Sequence, residues 1–575
     1  MTLLRFAPLL TIAAFAGPIV AGLAGTLLPA FGVLPAIGGV TPSLIGWREL
    51  LRFPGFATSL ELTLVTGWLA TVLAVCVTFG LGAALMHRPL LRRLGSFLAP
   101  LLAMPHSAIA IGFGFLITPS GWIVRLVSPG LTGWTVPPDI GTVGHASGWP
   151  VVACLLLKEV PYLLLMLLGA LNQVPAKAHL DAARALGYSP AAAFLKVVLP
   201  QVYPQMRLPV LAVLAFSLSV VDVALILGPG NPPTLAVLAV RWFSDPDVRL
   251  YFQAAAAATL LLILVAASVL AWLGLERIVA HAGQHWVVRG ARGDAAPLAA
   301  IGGVAGGWLF GLAIASLLSM AVWSFASRWR FPDSLPPSLT LANWSQQLGD
   351  LQRPALTTLG VGIAATVIAL ALTLACLENE AGRHMPGSTG RGVATQGLAM
   401  QDRAAQRSLA LLYVPLLVPQ VGFLFGAQVL LIRSGLDATL FAVVWAHLVF
   451  VLPYLFLSLA DPWRAFDSRY ARTALSLGAT RWRMFWRIKL PILLKPTLIA
   501  CAIGFAVSAG LYLPTLFAGS GRVATLTTEA VTLSAGADRR VIATWAVLQA
   551  AFPFAAFCGA AWLPRLLYVR RRGLA

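Results

Sequence analysis

The feature that most limits the fold of this chain is its series of long apolar segments. Runs of about 20 apolar residues can cross a bilayer as helices, which satisfy their own backbone hydrogen bonds. Only 10% of the residues are charged, too few to cover a soluble surface. The sequence therefore predicts an all-α polytopic membrane protein with about twelve transmembrane helices. These lie near residues 8–28, 57–85, 96–118, 148–171, 206–228, 251–275, 298–325, 355–377, 409–432, 438–460, 497–518 and 541–563.

The distribution of positive charge predicts the orientation. Cytoplasmic loops carry an excess of Lys and Arg. With the N-terminus inside, the cytoplasmic segments hold more than twice as many Lys and Arg residues as the outside loops. Both termini are therefore predicted to be cytoplasmic, in a bacterial inner membrane, with residues 1–28 kept as a first span rather than removed as a signal peptide. The net charge of +20 is assigned to these loops, and no nucleic-acid partner is expected.

The two halves of the chain repeat each other at a nearly constant offset, in the same order, with six predicted spans in each half. Because each half has an even number of spans, the two halves cross the membrane in the same orientation. This predicts two similar bundles with a pathway between them. The matched positions are Thr63, Leu64, Gly67, Ala70, Thr71, Val72 and Ala74 with Thr358, Leu359, Gly362, Ala365, Thr366, Val367 and Ala369; Pro161–Leu163 with Pro453–Leu455; Gly187, Leu199 and Pro200 with Gly478, Leu490 and Pro491; and Gly228, Gly230, Thr234 and Leu235 with Gly519, Gly521, Thr525 and Leu526.

A loop between the fourth and fifth spans of each half carries the most informative motif. The first copy reads DAARALG, nine residues, then VVLP; the second reads RTALSLG, nine residues, then IKLP. Gly187 suits a left-handed helix end, while Ser189 and Pro190 suit the start of another helix. Thr480 and Arg481 occupy the corresponding second-half places. Each copy thus predicts a short helix, a turn and a second short helix, with Pro200 and Pro491 as breaks before the next span.

This motif resembles the EAA loop of binding-protein-dependent ABC importer permeases of type I, in which Glu-Ala-Ala is followed after three residues by Gly and after nine more by Ile-x-Leu-Pro. In that family the loop is a coupling helix that docks on the ATPase subunit. The first copy has Asp in place of Glu, and the second has Arg-Thr in place of Glu-Ala. The resemblance assigns coupling to Asp181, Ala182, Ala183, Gly187, Leu199, Pro200, Arg472, Thr473, Ala474, Gly478, Leu490 and Pro491.

Two such motifs in one chain resemble the fused permeases of the ferric-iron and thiamine type. The resemblance implies a first permease half at 1–280 with its repeat near 57–275, a cytoplasmic linker at 281–297, and a second half at 298–575 with its repeat near 355–565. It implies a translocation pathway for a small solute delivered by a periplasmic binding protein. Two copies of a separate ABC ATPase would dock at the two loops. The solute itself is not set by the fold.

The energy source is predicted to lie on another polypeptide. A phosphate-binding Walker A loop ends in Gly-Lys followed by Ser or Thr. The chain has five lysines, and none of them follows a glycine. We therefore expect a transport permease that is not an enzyme and has no cofactor. The alternative is a twelve-helix secondary transporter of the major-facilitator type, although the loop at residues 87–93 does not fit the motif of that class.

Ionisable residues within the spans are candidates for function. Glu61, Lys158, Glu159 and Asp222 belong to this group, all in the first half. The second-half equivalents of Lys158, Glu159 and Asp222 are apolar: Phe450, Val451 and the neighbourhood of Leu511. Two interpretations remain open for these charges, contact with the solute in an asymmetric pathway or pairing between helices. Because adjacent residues on a helix point about 100° apart, Lys158 and Glu159 are expected to pair with different partners.

The remaining candidate sites are weak. No metal site is expected, since His281 and His285 have no third ligand near them in sequence and His106 and His447 are read as packed or pathway-lining. A stripe of small residues at Gly303, Gly307 and Gly311 predicts close helix packing. The loop at 378–407, which is rich in Gly, Gln, Ser and Arg, is predicted to be cytoplasmic and flexible.

Overall fold

A computed structural model describes residues 6–86, 98, 101–290, 292, 295–383 and 417–567. In these residues the backbone is mostly helical, and its β-structure is limited to two isolated bridges. The helices are α1 Ala7–Ala30, α2 Ile45–Arg52, α3 Phe56–Leu85, α4 His106–Ile117, α5 Trp122–Val127, α6 Trp149–Leu171, α7 Ala176–Ala185, α8 Pro190–Ser219, α9 Asp222–Leu227, α10 Leu235–Phe243, α11 Leu250–Val288, α12 Ala296–Phe325, α13 Ala342–Arg383, α14 Val421–Arg433, α15 Leu440–Arg464, α16 Ser468–Ser476, α17 Arg481–Ile492, α18 Leu494–Gly510, α19 Leu513–Gly519, α20 Leu526–Leu533 and α21 Arg539–Leu567.

The described helices confirm an all-α polytopic membrane protein. Nine of them, and the pair α4–α5 counted as one span, are long and apolar enough to cross a bilayer, and α17 with α18 makes an eleventh candidate span that is bent by 76°. The predicted ninth span at 409–432 corresponds to the shorter apolar helix α14. Its first residues, 409–416, lie outside the described part of the chain, as does most of the predicted flexible loop at 378–407.

Two buried helices lie in loops that the sequence assigned to the outer surface. In α10, every residue except Arg241 is buried, and α20 is buried over most of its length. Each follows a fifth span that is interrupted, at residues 220–221 in the first half and at 511–512 in the second. An apolar run of eight or nine residues is too short to span a bilayer, so it packs within the bundle.

The first span of each half packs against the other half. Helix α1 contacts α14 so closely that a Cβ at Gly426 would overlap the carbonyl oxygen of Gly22. At the same place the backbone N–H of Gly426 donates to the hydroxyl of Thr26 at 3.2 Å. Helix α12 packs in turn against α3 and α4 of the first half. Because each first span packs against the opposite half, α1 and α12 join the two bundles. The sequence repeat did not predict this arrangement.

The predicted glycine stripe on α12 is wrong by one residue. Gly307 and Gly311 have nothing within 4 Å of a built Cβ, and Gly303 has only ordinary contact. The close approach is made by Gly302 against Gly80 and by Gly306 against Leu81. The sequence contains paired glycines at 302–303 and 306–307, which form two stripes about 100° apart. Their spacing alone cannot say which of the two faces a neighbour.

The internal repeat is visible in individual hydrogen bonds. The hydroxyl of Thr63 on α3 accepts the backbone N–H of Leu235 at 2.8 Å. Thr358 on α13 accepts the N–H of Leu526 at 2.9 Å. These are matched pairs of the sequence repeat, so the same bond fastens each buried short helix to the second span of its half.

Both predicted coupling loops lie at the same end of the bundle. Gly82, near the end of α3, contacts Phe194 beside the first loop, and the start of α12 packs on that same end of α3. Helix α12 ends at the opposite side, where Asn343 at the start of α13 bonds Ser324 and Ala326. Helix α13 then returns to the first end, where its residue Glu378 contacts the second loop.

Candidate coupling elbows and intramembrane charges

The first predicted coupling loop, which we call elbow 1 (residues 176–200), has the predicted local geometry. Helix α7 ends at a left-handed residue, Gly187, with φ +86°. The hydroxyl of Ser189 then accepts the backbone N–H of Ala192 at 3.3 Å, and Pro190 occupies the first turn of α8. A side chain with a Cβ is strained at such a φ, so the turn depends on glycine. The predicted helix end and helix start are confirmed.

The second coupling loop, elbow 2 (residues 467–491), repeats this backbone with different side chains. Helix α16 ends at Gly478 with φ +82°. The hydroxyl of Thr480 accepts the N–H of Arg483 at 3.2 Å and so takes the place of Ser189. Each elbow contains one π-helical turn, at Phe194–Val198 and Phe485–Lys489. Since few of the side chains are shared, the capping residues and the glycine set this common shape.

The predicted proline breaks behave differently in the two halves. Pro200 lies within the continuous helix α8, so the predicted break there is wrong. The π-helical turn just before it loosens the ladder in the region where proline would clash with a preceding carbonyl. In the second half the helix is interrupted at Leu493, two residues after Pro491, and α17 meets α18 at 76°. A break follows Pro491 as predicted.

The small residues of the elbows divide between an outer and an inner face. Asp181 and Ala182 are exposed, whereas Ala183 is 4% exposed and packs into the first-half core. Only Ala182 of the predicted alanine pair can therefore contact a partner. In elbow 2 Ala474 is likewise buried at 6% exposure. The other predicted positions are exposed, at Pro200, Arg472 and Thr473, or half-buried, at Leu199, Leu490 and Pro491.

The surroundings of the two elbows differ. Elbow 1 is partly covered by the end of α11 and the linker, since Lys196 lies 4.4 Å from the ring of Trp286 and Arg292 contacts Gly187. Helix α11 continues to Val288, so much of the predicted linker is helical. Elbow 2 instead borders an open groove of about 480 Å³. This groove is lined by Asp467, Arg469, Tyr470, Thr473, Ala474, Leu477 and Ile488.

A buried ion pair supports elbow 2 from the membrane side. Lys489 is 5% exposed and bonds the carboxylate of Glu378 on α13. The same carboxylate accepts the indole N–H of Trp463 at 2.9 Å, and the ammonium lies 4.6 Å from that indole ring. Next to this cluster, Arg464 forms a two-pronged pair with Glu380 at 2.9 and 3.1 Å. Elbow 2 is therefore connected directly to α13 and α15. Sequence reasoning missed this connection, because no motif links residue 378 to residue 489.

Lys158 and Glu159 have different partners, as predicted for neighbours on a helix. The ammonium of Lys158 donates to the carbonyl oxygens of Leu101, Leu102 and Met104 at 3.3, 3.0 and 2.6 Å. These carbonyls end the segment before α4, where the third span is interrupted. A helix end leaves carbonyl groups without partners, and a cation stabilises them. These contacts favour the interpretation that Lys158 pairs with neighbouring segments and so stabilises the packing.

The two carboxylates face both halves of the protein. Glu159 lies 3.6 Å from the imidazole of His106, the first residue of α4. Asp222, the first residue of α9, is within electrostatic range of the same imidazole. From the second half, Tyr454 lies within electrostatic range of Glu159, and Tyr512 within range of Asp222. We call these five residues the polar junction. Glu61 is exposed near the start of α3.

Two members of the polar junction carry partial signals in the sequence. Tyr454 belongs to the matched Pro-Tyr-Leu pair, and His106 follows Pro105 at the start of an apolar run. Their proximity to Glu159 could not be predicted from the sequence, because it depends on how the two halves pack. The other intramembrane histidine, His447, is packed in the second half, with its two ring nitrogens 2.7 and 2.8 Å from the hydroxyls of Ser508 and Thr515.

The histidines of the α11 extension contact one another. The rings of His281 and His285 lie 4.7 Å apart, and both residues are exposed. Among the described residues no group of three or more His, Cys, Asp or Glu side chains is placed to hold a metal ion.

Comparison with known proteins decides the family. The family described as binding-protein-dependent transport system inner membrane component matches residues 76–276 and again residues 401–562. The chain belongs to this family of ABC transporter permeases. The permease is 32% identical over 536 residues to the inner membrane ABC transporter permease protein YnjC of Escherichia coli, covering 92% of this chain and 93% of that protein. Over 87 residues it is 39% identical to the molybdenum transport system permease protein ModB of Mycobacterium tuberculosis, covering 15% of this chain and 33% of that protein.

The family fixes the general role of the permease. It is the membrane-spanning part of an ABC importer, whose partners are in general an ATPase and a solute-binding protein. The two family matches confirm the internal repeat, and the permease is a multi-pass protein of a class found in bacterial inner membranes. Neither comparison supports the major-facilitator alternative.

Proposed function

We propose that elbows 1 and 2 are the two surfaces through which the permease receives the movement of a separate ATPase, with one ATPase subunit at each elbow. The observation that carries this proposal is the duplicated backbone geometry: an exposed helix that ends at a left-handed glycine, with φ +86° in one half and +82° in the other. Both elbows lie at one end of the bundle and present exposed residues there. The excess of Lys and Arg at this end supports a cytoplasmic position for it and for both termini.

The ATP is proposed to bind only to that separate subunit. None of the five lysines follows a glycine, so the sequence offers no standard loop for the β- and γ-phosphates. Movement at elbow 2 has a direct route into the membrane, because Lys489 connects it to Glu378 on α13. At elbow 1 the corresponding route runs through Tyr203, whose hydroxyl donates to Glu276 on α11 at 2.7 Å.

We also propose that the solute passes the polar junction on its way through the membrane. Carboxylates within membrane helices are costly and favour positions along a pathway. Glu159 and Asp222 belong to the first half, and the tyrosines near them belong to the second, which supports a pathway between the halves. Both carboxylates adjoin interrupted spans, as binding sites in transporters often do. We do not assign Lys158 to this role, because its ammonium already donates to three backbone carbonyls.

Cross-linking tests the proposed docking at both elbows. Leu186 and Leu477 occupy matched positions beside the two glycines and are 63% and 82% exposed. In a variant without the five native cysteines, Leu186→Cys and Leu477→Cys should each cross-link to the co-purified ATPase through a short thiol reagent. The double variant should give a product with two ATPase subunits. Leu131→Cys, at a residue that is 86% exposed in a predicted outside loop, is the control and should give none. ATPase cross-links at Leu131, or at only one of the two elbows, would contradict the proposal.

A further inference from the structure

Helix α17 of elbow 2 presents an aromatic surface that the packing of the bundle does not use. Trp482 and Trp486 lie one turn apart, are 72% and 49% exposed, and have their rings 5.4 Å from each other. The helix meets α18 at 76°, so it runs nearly crosswise to the span that follows it. A large exposed apolar surface of this kind marks an interaction site.

The same part of the helix is strongly basic. Arg483 and Arg487 are exposed beside the two tryptophans. From Ser468 to Thr528 the sequence contains no Asp or Glu residue. Lys489, at the end of the same segment, does not contribute to this exposed charge, because it points inward and pairs with Glu378. The outer surface of α17 therefore combines indole rings with guanidinium groups, and its charge has one sign.

Elbow 1 lacks this surface although its backbone is the same. Ala191 and Leu195 occupy the positions of Trp482 and Trp486, and Ala191 is 6% exposed. Helix α8 there continues without a sharp bend into the membrane span. The elbow geometry thus does not require tryptophan or exposed arginine, and their presence in the second half needs a separate cause.

The aromatic surface does not point toward the open groove beside elbow 2. Met484 is 6% exposed and packs on α16, and Ile488 lines the groove. Two residues along a helix lie about 200° apart, so Trp482 and Trp486 project from the opposite side to Met484. A subunit seated in the groove would therefore meet the inner side of α17 and leave the tryptophans to another environment.

We propose that α17 lies in the interface of the inner leaflet and binds the headgroups of anionic phospholipids. Tryptophan is enriched at the membrane–water interface, where its ring is partly in contact with lipid tails. Basic side chains near that surface attract anionic lipids, and a short helix lying in the interface can hold both groups at the same depth. The crosswise direction of α17 relative to α18 gives the helix this position.

The full permease, purified in a neutral detergent, allows a direct test. Mixed micelles supply phosphatidylglycerol or phosphatidylcholine, and native mass spectrometry counts the bound lipids. We expect a preference for phosphatidylglycerol that weakens at high salt. The double variant Arg483→Gln/Arg487→Gln should lower this preference by roughly tenfold. Arg483→Lys/Arg487→Lys keeps the charges and should retain the preference, which separates lipid binding from loss of the fold.

A matched control removes two exposed arginines at the same end of the protein. Arg184→Gln/Arg472→Gln changes the net charge equally but lies on α7 and α16. It should leave the lipid preference intact. Equal loss in this control, or no preference in the unmodified permease, would overturn the proposal. So would an unchanged lipid preference in Arg483→Gln/Arg487→Gln together with reduced co-purification of the ATPase, because the surface would then belong to the ATPase.

Discussion

Elbow 1 and elbow 2 have the same backbone and different surroundings. Elbow 1 carries Asp181 and is partly covered by Trp286 and Arg292, whereas elbow 2 carries Arg472 and borders an open groove. What they share is a left-handed glycine and a hydroxyl helix cap. The comparison teaches that shape is the common requirement at the two elbows. A single kind of docking surface could not attract both Asp181 and Arg472 by charge.

The largest expected effect comes from breaking the shared shape. Val in place of Gly187 or Gly478 forces a β-branched residue into a left-handed conformation, which costs about 1–2 kcal/mol or reorganises the turn. We expect ATP-dependent uptake in proteoliposomes to fall by roughly tenfold or more in each variant. Gly435→Val is the control, since Gly435 has φ +67° and, like Gly478, open space around a built Cβ, but lies in a predicted outside loop. An equal loss of uptake in this control would contradict the claim that uptake depends on the shape of the elbows.

The next largest effect is expected from a comparison of matched intramembrane positions in the two halves. Lys158→Met leaves three buried carbonyl oxygens without their donor, and leaving buried acceptors unsatisfied costs about 1–3 kcal/mol. We expect the thermal unfolding temperature of the detergent-purified permease to fall by several degrees. Phe450→Met at the matched second-half position keeps an apolar contact and should lower it less. A larger decrease in unfolding temperature for Phe450→Met would mean that Lys158 does not stabilise the interrupted third span.

A smaller effect concerns the cover over elbow 1. Trp286→Ala removes the ring that Lys196 contacts at 4.4 Å, a contact of about 0.5–2 kcal/mol. Amide hydrogen exchange should become faster in α7 and remain unchanged in α16. Faster exchange in both helices would show that the elbows are coupled to each other, which the separate surroundings do not predict.

The smallest effect is expected at the charges that differ. Asp181 and Arg472 are both exposed, and exposed ion pairs contribute about 0–1 kcal/mol. Asp181→Ala and Arg472→Ala should each change the affinity for the ATPase by less than about fivefold. A titration of the permease with purified ATPase measures this. A loss of a hundredfold at either residue would show that charge, rather than shape, governs docking there.

The sequence predicted features that depend on local chemistry. Gly187, Ser189 and Thr480 act over a few residues, so their turn and caps could be read directly. The sequence repeat identifies Thr63 and Thr358 as equivalent positions, and the two residues make equivalent bonds. Features that depend on the packing of distant helices could not be predicted from the sequence. The choice between Gly302 and Gly303, the exchange of α1 and α12 between halves, and the pairing of Lys489 with Glu378 all require the positions of distant helices.

The most direct test of duplicated coupling is the stoichiometry of the nucleotide-free complex. Native mass spectrometry of the permease with excess ATPase should show two ATPase subunits on one chain. With Gly478→Val it should show one, retained at elbow 1, and with the double variant Gly187→Val/Gly478→Val it should show none. Two bound subunits in the double variant, or a single subunit on the unmodified permease, would contradict docking at two equivalent elbows.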